Sequence, residues 1–141
     1  MLNAVIRPKS NSAFLRFVLW ADGIYEVMCG VGAIVAGKTL AAAFGINSEL
    51  FSLVVGAGLI AAAGLICWLA SRPSLNLRMA RVIATLNALS ALGLLAILLF
   101  GGFAFVSEGK WLAGTVAADL VILAVLEFYG IARATREFAA A

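Results

Sequence analysis

The sequence predicts an all-α fold, a four-transmembrane-helix up-down-up-down bundle with both termini cytoplasmic. Three observations carry this expectation. Of the 141 residues, 65% are hydrophobic and 12% charged, with a mean hydropathy of +1.11, whereas a soluble domain has roughly half apolar and a quarter charged residues. Four apolar blocks, at 17–37, 50–70, 82–105 and 111–131, each approach the roughly 20 residues that cross a hydrocarbon core of about 30 Å. The basic residues, finally, fall unequally between the connections. Length selects helix over strand in such runs, because an open sheet would leave its edges unsatisfied in lipid.

The chain opens on MLNAVIRPKSNS, with Arg7 and Lys9 flanking Pro8. It resembles the basic region of a signal peptide, but the apolar run that follows is too long, contains acids and lacks a cleavage site, so the first span is expected to be retained. The helices should overrun the apolar blocks and cover about 14–43, 48–72, 75–106 and 110–137. The first continues past the hydrocarbon through Lys38 and ends at Gly45, and Asn47 or Ser48 offers an N-cap to the second. Arg72 and Pro73 break the second, Ser74 caps the third, and Ser107, Glu108 and Gly109 separate the third from the fourth. The last helix runs on through Arg133, Arg136, Glu137 and Phe138 along the inner headgroups. Turns this short make consecutive helices antiparallel neighbours. The whole chain, 1–141, reads as one integral membrane domain, since no polar stretch is long enough for a second.

A cytoplasmic N-terminus places Arg7, Lys9, Arg16, Arg72, Arg78, Arg81, Arg133 and Arg136 inside, eight against Lys38 and Lys110 outside. That is a strong positive-inside bias. It also explains the net charge of +3 and the pI of 9.2. The cations lie between apolar blocks, so the expected partner is the lipid bilayer and not nucleic acid. Trp68, Phe128 and Tyr129 then fall near the inner interface and Trp111 near the outer one.

Histidine is absent, which removes the commonest metal and haem ligand and the commonest general base. Cys29 and Cys67 lie within apolar segments at different depths and read as small buried hydrophobes. No paired-cysteine motif, nucleophile elbow or phosphate-binding loop occurs. The expectation is a protein that is not an enzyme, with no cofactor and no metal.

Polar chemistry concentrates in LWADGIYEVMCGVG at 19–32. Asp22 and Glu26 are four residues apart and share a helix face with Tyr25 and Cys29 close by. At about 1.5 Å per residue, Glu26 and Asp119 fall near the bilayer centre. Asp22, Glu127 and Asn87 fall lower, toward the cytoplasm. An acid at the centre of a span costs roughly 2.5 to 3.5 kcal/mol, so these groups should face inward and be protonated, paired or hydrated. Arg16 and Arg81 are the candidate charge partners, with the Asn87 amide and the hydroxyls of Tyr25 and Tyr129. The expected result is an inner polar cluster from the first, third and fourth spans.

Two readings follow. In one, Asp22 and Glu127 are neutralised by Arg16 and Arg81, and Glu26 and Asp119 are packing anchors. In the other, Glu26 and Asp22, supported by Asp119, Glu127, Asn87 and Tyr25, bind or move a proton, a small cation or a cationic amphiphile. A third possibility is an accessory subunit whose acids meet a basic residue on a larger partner. Small residues at three- or four-residue spacing, such as Ala57, Ala61 and Gly64 or Gly58 and Ala62, suit close helix packing, mostly within the chain, or a homo-oligomer.

Glu26, an acid in the first of four spans, is similar in place to the acid with which small multidrug resistance transporters exchange protons for cationic drugs. Ala21-Asp22-Gly23, Phe44-Gly45-Ile46, Arg72-Pro73 and Asn87 together resemble small bacterial four-helix integral membrane proteins that mostly lack an assigned function. That resemblance implies a bundle in a bacterial inner membrane and no particular activity.

Overall fold

The computed structural model describes residues 12–46, 48–101 and 104–140, the side chains at 12, 49 and 137–140 excepted. Arg7, Lys9, the Asn47 cap and the Glu137 and Phe138 side chains lie outside the described residues. Within them the chain is all-helical, without strands: α1 (Ser12–Val35), α2 (Gly37–Ala43), α3 (Glu49–Ser71), α4 (Leu77–Phe100) and α5 (Ser107–Ala140). Four of the five contain stretches long and apolar enough to cross a membrane, at Ala13–Val35, Leu50–Ser71, Leu77–Phe100 and Ser107–Arg136.

The first expected helix is two. Ala36 turns out of helical geometry at φ −96° and ψ 22°, although its own amide still donates to the Gly32 carbonyl at 2.9 Å and its carbonyl accepts from the Leu40 amide at 2.8 Å. The cause comes from α3, where the fully buried Ser52 donates its hydroxyl to the Gly37 carbonyl at 3.0 Å. A side chain inserted beside a glycine is a recognised origin of kinks. The end of α2 is as the sequence suggests. Gly45, at φ +68°, donates its amide to the Ala42 carbonyl at 3.0 Å, and Ile46 donates to Ala41 at 2.8 Å. This is a Schellman cap, in which glycine takes the left-handed position.

The cap of α3 is one of the two expected, whereas both ends of α4 and the start of α5 differ from the expectation. Ser48 is the N-cap of α3 by backbone conformation, without a side-chain bond. Asn76, not Ser74, caps α4, its Oδ1 accepting from the amides of Arg78 at 3.0 Å and Met79 at 3.3 Å. The chain leaves α3 extended after Arg72, which delays the start of α4 by two residues. α4 then stops at Phe100 because Gly101 takes φ +74°. Ser107, Glu108 and Gly109 consequently belong to the first turn of α5 instead of the connection.

α1 packs along α3, α4 along α5, and α1 also meets α5. Consecutive α3 and α4 barely touch along their backbones, contrary to the simple neighbour rule. They meet through side chains near the 72–76 turn, where Leu15, Leu19, Ile66, Leu69, Ile83 and Ile131 form an apolar plug. The α1–α3 contact is close because both helices carry small residues seven apart. A Cβ on Gly23 would stand 2.5 Å from Cys67 Sγ and 3.5 Å from the Ala63 carbonyl, and one on Gly30 would stand 2.8 Å from the Gly56 carbonyl. As α1 is climbed from Gly23 to Gly30, α3 is descended from Ala63 to Gly56. The stripe Ala57, Gly58, Ala61 and Gly64 is exposed. It faces away from the α3 positions that do pack, Ser52, Gly56, Ala63, Ile66 and Ala70, so this stripe is not among the small-residue faces that pack within the chain.

Candidate functional site

On α5 one buried seam runs Ala113, Ala117, Leu120, Ala124, Glu127, Ile131 and Ala134, with Gly109 and Gly130 also buried, and on α4 one runs Ala80, Ala84, Asn87 and Ala91, with Ile83 buried beside it. Both series alternate steps of four and three, the spacing of a coiled-coil seam. Mostly alanine, these seams bring backbones close. Each carries one polar residue, Glu127 or Asn87, at a position that cannot leave the interior. α1 supplies Asp22 and Glu26 from its own inner face, directly above the apolar plug.

The structure therefore brings Asp22, Asn87 and Glu127 together from three helices. The Asn87 amide nitrogen donates to Asp22 Oδ2 and to Glu127 Oε2, each at 3.1 Å. Both amide hydrogens are thereby used. Asp22 and Glu127 are 0% exposed, Asn87 4% and Glu26 8%, and the Asp22 and Glu127 carboxyls are in hydrogen-bonding contact with each other. Glu26 lies one turn above and within electrostatic reach of both. Asp22 Oδ1, Glu26 Oε2 and Glu127 Oε1 are buried and have no hydrogen-bond partner among the described residues. Among the described residues, the groups acting on these three acids are one another and Asn87, with no lysine or arginine.

The arginines suggested as partners go elsewhere. The Arg16 guanidinium donates to the carbonyls of Ala70 at 2.5 Å and Pro73 at 2.8 Å, satisfying the end of α3, whose last carbonyls lack helical partners. Arg81 is exposed. Six residues from Asn87 is about 120° around a helix of 3.6 residues per turn, so Arg81 sits off the seam, and its carbonyl accepts the Thr85 hydroxyl at 2.8 Å. Asp119 is also separate from the buried trio. It lies about two turns from Glu127 and accepts from the Tyr25 hydroxyl at 3.0 Å. Cys29 lies one turn further along the same face of α1, close enough to Tyr25 for the two side chains to act on each other electrostatically. All three of these residues are half-buried. Tyr129 stacks edge-on against Phe14 at 5.8 Å, and Arg72 lies over the Trp68 ring at 4.3 Å.

Three carboxyls this close, Asp22 and Glu127 in contact and Glu26 within electrostatic reach, out of water and without a counter-charge among the described residues, cannot all be ionised at reasonable cost. Their three partnerless oxygens are acceptors that lack donors. What the arrangement can hold is therefore a proton, or a species that brings positive charge and hydrogen-bond donors together. The described residues contain no group of three His, Cys, Asp or Glu disposed to hold a metal ion. Reading the sequence missed Ser52 and the Gly30–Gly56 contact. The signals for them were a lone serine in an apolar span and glycines seven apart. No family model, curated protein or solved structure matches the chain.

Proposed function

We propose that this chain is a multi-pass protein of a bacterial inner membrane, its four long helices running up-down-up-down with both termini cytoplasmic, and that Asp22, Glu26 and Glu127 form a transporter-type site for a proton. The eight-to-two distribution of basic residues supports the orientation. The observation that carries the site is the set of three buried carboxyl oxygens without partners, in a cluster whose one shared donor is Asn87. Ionisable groups placed at this cost within a span are functional candidates. A proton fits better than a metal ion or a cationic amphiphile, because Asn87 turns its donor side toward the acids and the cluster is closed below by apolar side chains.

Glu26→Gln keeps the shape of the side chain and removes its exchangeable proton. In vesicles, proton release after a pH step, followed with an indicator dye, should fall in this variant while its circular dichroism stays that of the wild type. Unchanged release from the folded variant would refute the assignment.

Asp119 favours a second reading, an accessory subunit of a larger membrane complex. It retains exposed surface at the level of Tyr25, within a candidate membrane span, where a basic side chain of a partner would satisfy it. That reading requires stoichiometric co-purification with one partner in mild detergent. Recovery as a lone monomer at native expression would contradict it.

A further inference from the structure

We propose that protons reach the buried carboxyls along one face of α1, from the Tyr25–Asp119 hydrogen bond at the α1–α5 edge, past Cys29, to Glu26 and then to the Asp22–Asn87–Glu127 cluster. This rests on the proton-binding reading above and specifies its route. Tyr25 and Glu26 lie three and four residues after Asp22 and four and three before Cys29, so the four share one helix face, with about 5 to 6 Å between the Cβ atoms of pairs at those spacings. Exposure increases along the same line. Asp22 and Glu127 are fully buried, Glu26 is 8% exposed, and Tyr25, Cys29 and Asp119 are half-buried. One turn beyond Cys29 stands Gly32, with no atom within 4 Å of where a Cβ would be. The other end of the face is stopped by Leu15, Leu19, Ile66 and Ile131.

Glu26 is the moving part. Glu26 is more than nine-tenths buried, yet its Oε2 has no hydrogen-bond partner among the described residues, so rotation of the carboxyl breaks no hydrogen bond at that oxygen. Turned down, it meets Asp22. Turned up, it approaches Cys29, which lies within electrostatic reach of Glu26, Tyr25 and Asp119. For an outward transfer, the Glu26 carboxylic acid gives its proton to the Tyr25 oxygen and becomes a carboxylate, as the Tyr25 hydroxyl proton passes to Asp119 Oδ2, so the phenol stays neutral and the Asp119 carboxylate becomes a carboxylic acid. Asp119 then loses that proton at the edge. The inward path reverses each step. Of the other elements around this line, α3 brings the Cys67 thiol beside Gly23 and no charged residue between 50 and 71, and α4 brings Asn87.

The test uses the full chain in phosphatidylcholine–phosphatidylglycerol vesicles, reading the carboxyl infrared band both at equilibrium and after a rapid pH step. Tyr25→Phe retains the ring and its packing, and Asp119→Asn retains a hydrogen-bond acceptor. Each should leave the equilibrium titration of the buried acids in place and slow its approach by about a hundredfold, the low end of what a positioned acid or base contributes. Wild-type rates in both variants, with titration intact, would overturn the route and leave proton binding standing. A displaced equilibrium titration in Tyr25→Phe at an unchanged rate would also overturn it, since Tyr25 would then only position its neighbours. An infrared band that does not respond to pH in the wild type would overturn both. If Asp119→Asn fails to fold, Tyr25→Phe decides alone.

Discussion

Asn87→Leu should destabilise the protein by about 2 kcal/mol or more, a loss out of proportion to one hydrogen-bonding residue. Interhelical hydrogen bonds in membranes are worth about 0.6 kcal/mol on average, because a chain unfolded within lipid also finds partners. Asn87 differs in serving two buried acids from one nitrogen. Removing it leaves Asp22 and Glu127 without their shared donor, at about 1 to 3 kcal/mol for each orphaned group. Replacing Asp22, Asn87 and Glu127 together by leucine should recover much of the loss, since removing every partner of a buried polar set leaves none of its members orphaned. Reversible unfolding in mixed micelles checks both statements, with Thr85→Val on the exposed side of α4 expected within about 0.5 kcal/mol of wild type. A cost near 0.6 kcal/mol for Asn87→Leu would mean that the two acids find other donors.

Gly30→Val should be the most damaging substitution along α1. The first added carbon alone would stand 2.8 Å from the Gly56 carbonyl oxygen and 2.8 Å from Ile60 Cγ1. The oxygen belongs to the backbone of α3, so the two helices must move apart. Overpacking of this kind costs about 1 to 3 kcal/mol even where side chains yield, and here the neighbour is main chain. Gly64→Ala is the control on the same pair of helices. Nothing lies within 4 Å of its Cβ position, and replacing glycine by alanine within a helix gains about 0.5 to 1 kcal/mol. Thermal unfolding should therefore move down for the first substitution and slightly up for the second. Equal effects would mean that α1 and α3 are not held at this contact.

How far these features could be read beforehand depended on whether they were local. Apolar length marked four long helices, and Phe44-Gly45-Ile46 marked the end of α2, because span length and a left-handed glycine are properties of neighbouring residues. The break at Ala36 was not legible, since its cause is Ser52 on another helix. Asn76 outcompeted Ser74 as a cap once the chain had left α3 in an extended conformation, something no local rule contains. The acids were legible as a group from their depth. Their partners were not, because depth says how far apart two residues are along the bilayer and nothing of which way each faces. Arg81 is near Asn87 in sequence but turned away from it on the helix. Arg16 is taken by the carbonyls at the end of α3. The Tyr25–Asp119 bond likewise needed the crossing of α1 and α5.

The claim on which the rest depends is that Asp22, Glu26 and Glu127 together hold exchangeable protons. Infrared difference spectroscopy of the wild-type protein in vesicles across a pH titration, with Asp22→Asn, Glu26→Gln and Glu127→Gln to identify the bands, measures this directly. A protonated-carboxyl band that disappears as pH rises, and that is altered by each of the three substitutions, is the expected result. A carboxyl band that stays constant over the whole range in which the helices remain folded would contradict it, and the three acids would then be fixed packing elements.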